Sequence, residues 1–192
     1  MPKRHHIWII PFILSFFVSS LLPENHQNYS LPEVQKVLRV IDNMIAAQFQ
    51  EDRDVLEQVE ITESELNSYF TYRIETEKEE IMKELSLKIF DDQRLEGKIF
   101  IDLEGQKIPK ILRPQMNIYM GGKIIIQDGK IRLDIKSIYL DGQRIQPMVL
   151  DLIIFIAAKI ENFEPYSLSD WYELPYGIKN IETQKGKATF YY

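Results

Sequence analysis

Residues 116–140 contain two apolar ladders, and this feature constrains the fold of the chain more than any other. In the first ladder the apolar residues occupy even-numbered positions, and after Asp128-Gly129 they move to odd-numbered positions. Alternation with a period of two is typical of a β-strand that presents one face to an apolar core or ligand. Asp-Gly between two such runs favours a tight turn, so we predict a long β-hairpin. Its inward-facing residues are Met116, Ile118, Met120, Ile124, Ile126, Ile131, Leu133 and Ile135.

Two irregularities interrupt this predicted hairpin. Gly121-Gly122 lies in the middle of the first strand, and in the second strand the apolar positions shift from Ile135 to Ile138 and Leu140. A glycine pair inside a strand and a change of parity both indicate a β-bulge, which bends a strand and increases its twist. We therefore expect the sheet to be curved.

Two capping boxes predict the starts of two helices. Ser30-Leu31-Pro32-Glu33 combines a capping box with a proline in the first turn, and the apolar spacing that follows predicts a helix over residues 32–50. Thr62-Glu63-Ser64-Glu65 is the second box, and it predicts a helix over residues 63–74. The apolar stripe of the first helix must be covered, most simply by the sheet that follows.

A third helix is predicted over residues 148–160, which are apolar on nearly every side. Only Asp151 and Lys159 interrupt the apolar run. A helix of this kind is buried or faces lipid, and this one is too short to span a bilayer, which takes about 20 residues. Two interpretations stay open, a central core helix and a helix that lines an apolar ligand site.

The remaining strands are predicted to form two further hairpins. One covers residues 85–103 with a turn at Asp91-Asp92-Gln93, and the other closes the chain about Lys185-Gly186. The order contains no alternation of strand, helix and strand. The predicted fold class is therefore α+β, with a long N-terminal helix and a buried second helix packed on a curved antiparallel sheet of about six or more strands.

The amino terminus is predicted to be an export signal over residues 1–20. Lys3 and Arg4 precede an apolar run over residues 7–22, and Val18-Ser19-Ser20 offers acceptable side chains for cleavage. An uncleaved membrane anchor is the alternative. We expect residues 21–29 to be a linker and residues 30–192 to be a single α+β domain, located in the periplasm or elsewhere outside the cytoplasm.

The composition excludes several kinds of enzyme. The sequence has no cysteine, and its histidines are His5, His6 and His26, all of which precede the predicted domain. Disulfides, thiol catalysis, Ser-His-Asp triads and HExxH zinc sites are thereby excluded from that domain. A net charge of −6 argues against a nucleic-acid partner. We expect a protein that is not an enzyme and that carries neither a cofactor nor a metal.

Two residue groups allow a second interpretation. Most aspartates of the strand region lie at hairpin turns, where turn chemistry explains them better than paired catalytic carboxylates or calcium ligands do. Aromatic residues near the carboxyl terminus, among them Trp171, Tyr172 and Tyr176, favour packing in the core. The rim of a cavity is the alternative for this aromatic group.

Three segments of the chain resemble a family of exported bacterial proteins. They are ITESELNSY at residues 61–69, GKIIIQDGKIRLDIKSIYLDG at residues 122–142 and LPYGIKNIETQKGKATFYY at residues 174–192. Together they are similar to the phospholipid-binding family associated with mannan elongation and, more distantly, to the TULIP superfamily of tubular lipid-binding proteins. The resemblance implies a TULIP-like half-barrel, a helix in a curled sheet that encloses an apolar groove for acyl chains.

The function implied by this resemblance is that of an exported, non-enzymatic lipid-binding or lipid-carrying protein of the cell envelope. A cupped sheet lined by Ile, Leu and Met is suited to flexible acyl chains. The alternative is a structural or interaction subunit of an envelope complex with a solidly packed core. If the leader is retained, the protein can also associate with the membrane through residues 7–22. The residues expected to line the groove are Met116, Ile118, Met120, Ile124, Ile126, Leu133, Ile135, Leu152 and Phe155.

Overall fold

The computed structural model describes residues 28–49, 56–109, 112–160 and 164–192. The predicted export signal and most of the predicted linker lie outside these ranges and stay predictions. The described helices are α1 (Leu31–Gln48), α2 (Glu63–Glu77) and α3 (Pro147–Ile160). The described strands are β1 (Gln58–Thr62), β2 (Met82–Ile89), β3 (Arg94–Asp102), β4 (Gln115–Gln127), β5 (Lys130–Leu140), β6 (Gln143–Arg144), β7 (Tyr172–Glu173), β8 (Asn180–Gln184) and β9 (Lys187–Tyr191).

The larger sheet is antiparallel and is built from consecutive hairpins in the order β2-β3-β4-β5-β6, with β7 paired to the free side of β5 near its start. The long hairpin predicted from the apolar ladders is confirmed as β4 and β5. Asp128 and Gly129 both have positive φ angles, of 51° and 74°, as a tight two-residue turn requires. The sheet curls into a half-barrel, which confirms the predicted fold class.

A β-bulge between β4 and β5 reconciles the two halves of the long hairpin. Gly121 is opposite Ser137 and Gly122 is opposite Ile135, so Lys136 is the extra residue on β5. The apolar residues of β5 are odd-numbered before the bulge and even-numbered after it. On both sides of the bulge they pair with residues on the same face of β4. The predicted irregularity is confirmed, and it lets a single apolar face run along the whole hairpin.

A second, smaller sheet closes the fold in the order β1-β9-β8. The closing hairpin β8-β9 was predicted, but its pairing with β1 was not. Val59 and Ile61 alternate with polar residues in β1, and Ile61 lies opposite Ala188 of β9. The short length of β1 and the sequence distance to β9 leave no local signal for this pairing.

The amino terminus of α2 is held by the capping box that its sequence predicts. The Thr62 side chain accepts a hydrogen bond from the Glu65 backbone at 3.3 Å, and the Thr62 backbone donates to the Glu65 carboxylate at 2.8 Å. The same carboxylate receives Lys36 Nζ of α1 at 2.7 Å. Glu65 therefore fixes the start of α2 and its packing on α1.

The corresponding box predicted for α1 does not form. Ser30 is the N-cap residue and a proline lies in the first turn, but the Ser30 side chain makes no capping hydrogen bond. Glu33 instead accepts hydrogen bonds from Ser64 at 2.8 Å and from Ser68 at 2.5 Å, both on α2. The prediction of a capping box was wrong because these tertiary partners engage the carboxylate.

We expect the contribution of Glu65 to stability to disappear at low pH. Burial raises the pKa of this carboxyl, but hydrogen bonds from Lys36 and the Thr62 backbone, with the charge of Lys36, outweigh burial and leave the pKa below its ordinary value. A carboxyl with a lowered folded-state pKa stabilises the fold above its unfolded pKa of about 4.3. This stabilisation is lost as the pH falls through the lowered value.

Chemical denaturation of the wild type and Glu65→Gln measures this effect. Glutamine can keep the capping box, so the variant removes mainly the charge. The wild type should be more stable at neutral pH by up to about 1 kcal/mol, and the difference should disappear as the pH falls through the lowered pKa of Glu65. A difference that stays constant over this range contradicts the prediction.

Helix α3 is less buried than its sequence predicts. Its bounds agree with the predicted helix, and one face, with Leu150, Ile153 and Ile154, lies in the core. On the other face Leu152 is 39% exposed and Phe155 is 45% exposed. Burial on every side was therefore a wrong prediction for this helix. Lys159 lies over the Phe155 ring, 5.5 Å from its centroid, which shields part of the exposed face.

Candidate ligand cavity

An apolar cavity of about 170 Å³ lies between α1, α2 and the two sheets. Helix α1 covers it on one side, and the curled sheet forms the opposite wall. The smaller sheet and the segment before β8 contribute further residues of the wall. Every residue of the wall is buried or half-buried, and the wall is apolar at nearly all positions. Its residues from α1 are Val37, Val40, Ile41 and Met44.

The size of the cavity limits what it can hold. An engineered apolar cavity of about 150 Å³ binds benzene and stays dry. Ordinary ligand pockets measure about 300–1,000 Å³. The cavity therefore accommodates one short apolar chain or the end of a longer one, but not two acyl chains.

Gly97 creates space in the wall of the curled sheet. It lies on β3 directly opposite Leu87 of β2 and Met120 of β4. A Cβ atom at Gly97 would lie 3.4 Å from Cγ of Met120 and 3.5 Å from Cδ2 of Leu87, and all three residues belong to the cavity wall. Glycine at this inward position leaves room where a strand normally presents a side chain, which is typical of sites of close approach.

Three side chains of the cavity wall carry an oxygen atom, those of Tyr69, Tyr176 and Thr183. The Thr183 hydroxyl donates to the backbone carbonyl of Phe90 at 2.7 Å. Tyr69 lies on α2 and is 4% exposed. Arg73, one turn further along α2 and 7% exposed, donates from Nη1 to the Tyr69 hydroxyl at 3.5 Å. Behind this part of the wall, Nη2 of Arg73 pairs with Glu77.

Tyr176 is held in the wall by an unusual loop. Tyr176 and Gly177 have positive φ angles of 54° and 72°, so their backbone N–H groups can point to one side. The Gln48 amide at the end of α1, turned so that its oxygen faces the loop, accepts from the Tyr176 N–H at 3.1 Å and also from Gly177. This contact connects the end of α1 to the tyrosine that lines the cavity.

Both cavity tyrosines keep their protons under ordinary conditions. Burial raises the pKa of Tyr69, although the nearby charge of Arg73 acts in the opposite direction. Burial, together with Tyr69, raises the pKa of Tyr176 to about 12. For Arg73, burial lowers the pKa while both tyrosines raise it. Both tyrosines of the wall are therefore neutral, and Tyr69 lies beside a buried guanidinium.

The structure brings three of the nine predicted groove residues to the cavity, namely Met120, Ile124 and Leu133. The other six lie elsewhere. Met116 and Ile118 are completely buried at the start of β4, in the packed part of the core. Ile126 and Ile135 are half-buried and pack against the core without joining the wall. Leu152 and Phe155 lie on the exposed face of α3, which contributes no residue to the wall.

The cavity lies under α1 rather than under α3, where the sequence placed it. The apolar stripe of α1 was visible at helical spacing, but the pattern is the same whether a helix covers a packed core or a hollow one. The smaller sheet was also missed as a wall, since β1 was not predicted. The observable sequence signals were Gly97, which takes an inward place between Leu95 and Ile99, and the aromatic group that includes Tyr176.

The described ranges contain no group of three or more Asp, Glu, His or Cys side chains placed to hold a metal ion. Helices among the same residues are all too short or too polar to cross a membrane. An apolar cavity with a few hydroxyl groups is therefore the candidate site of the described chain.

Comparisons with known proteins provide no family for this chain. Neither a protein-family model, nor a curated protein, nor a solved structure matches it. The resemblance to tubular lipid-binding proteins thus stays an interpretation of the sequence, and the functional argument depends on the cavity.

Proposed function

We propose that this protein binds a single apolar chain, such as an acyl chain, in the cavity under α1. The observation that carries the proposal is a cavity of about 170 Å³ whose lining side chains are apolar except for two tyrosines and a threonine. Natural interiors are packed to a density that leaves few voids larger than a water molecule. An apolar space of this size is costly for stability when empty, at about 24 cal/mol per Å³, so retention of the space favours a ligand role.

The chemistry of the wall supports binding rather than catalysis. Of the described residues, those in the wall include no carboxylate, lysine or histidine that could transfer a proton. Met44, Met82 and Met120 provide flexible, polarisable surfaces that adapt to an irregular chain. We therefore propose a non-enzymatic carrier or holder of lipid, in agreement with the function expected from the sequence.

Native mass spectrometry of the full chain tests the proposed function. The protein is purified without detergent and measured before and after removal of bound lipid by organic extraction and refolding. We expect a 1:1 adduct with the mass of a single-chain amphiphile in the first sample, and its recovery when octanoic acid or methyl octanoate is added to the second. A protein that shows no adduct and takes up neither compound contradicts the proposal.

Export from the cytoplasm is a separate proposal, since it depends on residues 1–20 alone. The charged start and the apolar run of these residues support cleavage after Ser20. Amino-terminal sequencing of the protein recovered from an expressing bacterium should give a chain that begins near Leu21. A chain that begins at Met1 in the cytoplasmic fraction contradicts export.

A further inference from the structure

We infer that the ligand enters and leaves the cavity between the carboxyl-terminal half of α1 and the loop over residues 174–178, and that the contact of Gln48 with this loop controls the rate. This inference rests on the proposed function, because it requires a ligand. It adds the route by which the ligand is exchanged and the residue that regulates the exchange. Every residue of the wall is buried or half-buried, so a chain passes most readily where one element of the wall can move.

Most elements of the wall are joined to one another by hydrogen bonds that involve the backbone. The two sheets are connected where the Gly186 N–H donates to the Ile89 carbonyl at 2.9 Å. Helix α2 is held on β2 by Asn67. Its side chain donates to the Leu87 carbonyl at 2.9 Å and accepts from the Leu87 N–H at 2.8 Å. Helix α2 and the two sheets therefore form a connected framework around the cavity.

The loop over residues 174–178 is anchored to this framework near both of its ends. The Leu174 N–H donates at 2.8 Å to the carbonyl of Gly129, in the turn between β4 and β5. The Lys179 N–H donates at 2.7 Å to the carbonyl of Tyr191 on β9. The loop is therefore tied to each of the two sheets.

Helix α1 is attached in a different way. Among the described residues, no hydrogen bond between backbone groups connects α1 with another element of the wall. In its amino-terminal half, Glu33 and Lys36 bond to side chains of α2. At its carboxyl end, Gln48 bonds to the loop. The α1 residues of the wall lie between these two attachments and are Val37, Val40, Ile41 and Met44.

The apolar packing of α1 resists movement less than packing on a solid core would. A side chain that faces a void has no partner atoms on that side and loses those dispersion contacts. Four side chains of α1 face the cavity in this way. We therefore expect the carboxyl-terminal half of α1 to be the element of the wall that moves at the lowest cost in free energy, while the amino-terminal half stays on α2.

Gln48 makes the polar contact that this movement must break. Its amide oxygen accepts from the Tyr176 N–H at 3.1 Å and also from Gly177. A Cβ atom at Gly177 would lie 3.0 Å from Cγ of Gln48, so the glutamine side chain lies directly against the loop. Tyr176 itself belongs to the wall. Loss of the contact therefore separates α1 from the loop beside the cavity.

A reversible cross-link at this contact tests the inference in the full chain. The sequence has no cysteine, so Gln48→Cys combined with Gly177→Cys introduces a single pair, at the close range that a disulfide requires. Fluorine NMR measures the exchange of methyl octanoate that is fluorinated at its terminal carbon. Compared with the reduced protein, the oxidised protein should bind and release this probe at least about tenfold more slowly, because its route is closed in both directions. The affinity should change less than about threefold, since the bound state is the same.

A second cysteine pair controls for oxidation and for cross-linking as such. Ser86 and Lys98 lie directly opposite each other on β2 and β3, outside the wall. Oxidation of the variant with Ser86→Cys and Lys98→Cys should leave both rates unchanged.

The single substitution Gln48→Ala provides an independent test, because the positive φ of Gly177 disfavours a cysteine there. This variant should release the probe about three to ten times faster than the wild type, since the hydrogen bonds to the loop are lost. Asn43→Ala is the matched control, at an exposed residue of α1 outside the wall, and it should release the probe at the wild-type rate.

The outcomes separate the inference from the proposed function. If the probe binds but its rates are unaffected by Gln48→Ala and by oxidation of the pair at Gln48 and Gly177, the ligand uses another route. The inference then fails and the proposed function stands. If the wild type does not bind the probe, both fail.

Discussion

Replacement of Gly97 with valine is expected to weaken ligand binding strongly and to make the protein more stable. The new side chain begins at a point 3.4 Å from Met120 and 3.5 Å from Leu87, and it extends into a cavity of about 170 Å³. Cavity filling and the reduced freedom of the unfolded chain should together raise the free energy of unfolding by about 1–2 kcal/mol. The melting temperature should rise by about 2–8 °C.

Calorimetric titration with methyl octanoate and thermal denaturation measure the two effects of Gly97→Val. The affinity should fall at least about tenfold, since the chain and the valine compete for one space. Glu96→Val is the matched control, because Glu96 is exposed on the same strand next to Gly97. The control should bind as the wild type does. A stabilised Gly97→Val that still binds methyl octanoate with wild-type affinity contradicts a ligand site in this cavity.

Replacement of Gly122 with alanine is expected to produce a large loss of stability. Gly122 lies at the bulge between β4 and β5. A Cβ atom there would lie 2.6 Å from the carbonyl oxygen of Asp134 and 3.1 Å from Cα of Ile135. Both are backbone atoms of β5, so the strand itself must move to relieve the contact. We expect a loss of about 1–3 kcal/mol and a melting temperature lower by about 2–12 °C.

Gly121→Ala provides the matched control for this prediction. A Cβ atom at Gly121 would lie 3.0 Å from Oγ of Ser137 and 3.7 Å from Cγ of Glu96. These are side-chain atoms that can rotate away, so the cost should be smaller than at Gly122. Urea denaturation of both variants gives the comparison. Equal losses at the two positions contradict the view that close backbone approach at Gly122 sets the bulge.

Much of the fold was predictable from local patterns. The apolar ladders, the Asp128-Gly129 turn and the Thr62-Glu65 capping box each act over a few residues, and each was confirmed. The pairing of β1 with β9 depends on strands that are distant in sequence. The partners of Glu33 are likewise on another helix. Such long-range contacts leave no periodicity or turn signal, and the predictions failed where these contacts decide the outcome.

The candidate site was predictable only in part, because a side chain that lines a cavity and one that packs a solid core have the same composition. Met116 and Met120 share one apolar ladder, yet Met116 is fully buried in packed core and Met120 lies in the cavity wall. Whether such a residue lines a cavity or packs in solid core depends on its neighbours. Gly97, which lies opposite Met120, leaves space beside it. The high apolarity of α3 led to the wrong prediction that this helix is buried on every side. A helix at the surface can keep exposed apolar residues such as Phe155.

The pairing of β1 with β9 determines when the cavity can be closed. Chains are synthesised from the amino terminus, so β1 and the curled sheet are made before the hairpin β8-β9 that supplies Ile181, Ala188 and Phe190 to the wall. Until that hairpin docks, the hydrophobic interior is open on one side. Contacts between distant segments form late and slowly in folding. Under the proposed function, a ligand present at that stage would enter the open interior before the last strands dock, and loading would then accompany the completion of folding.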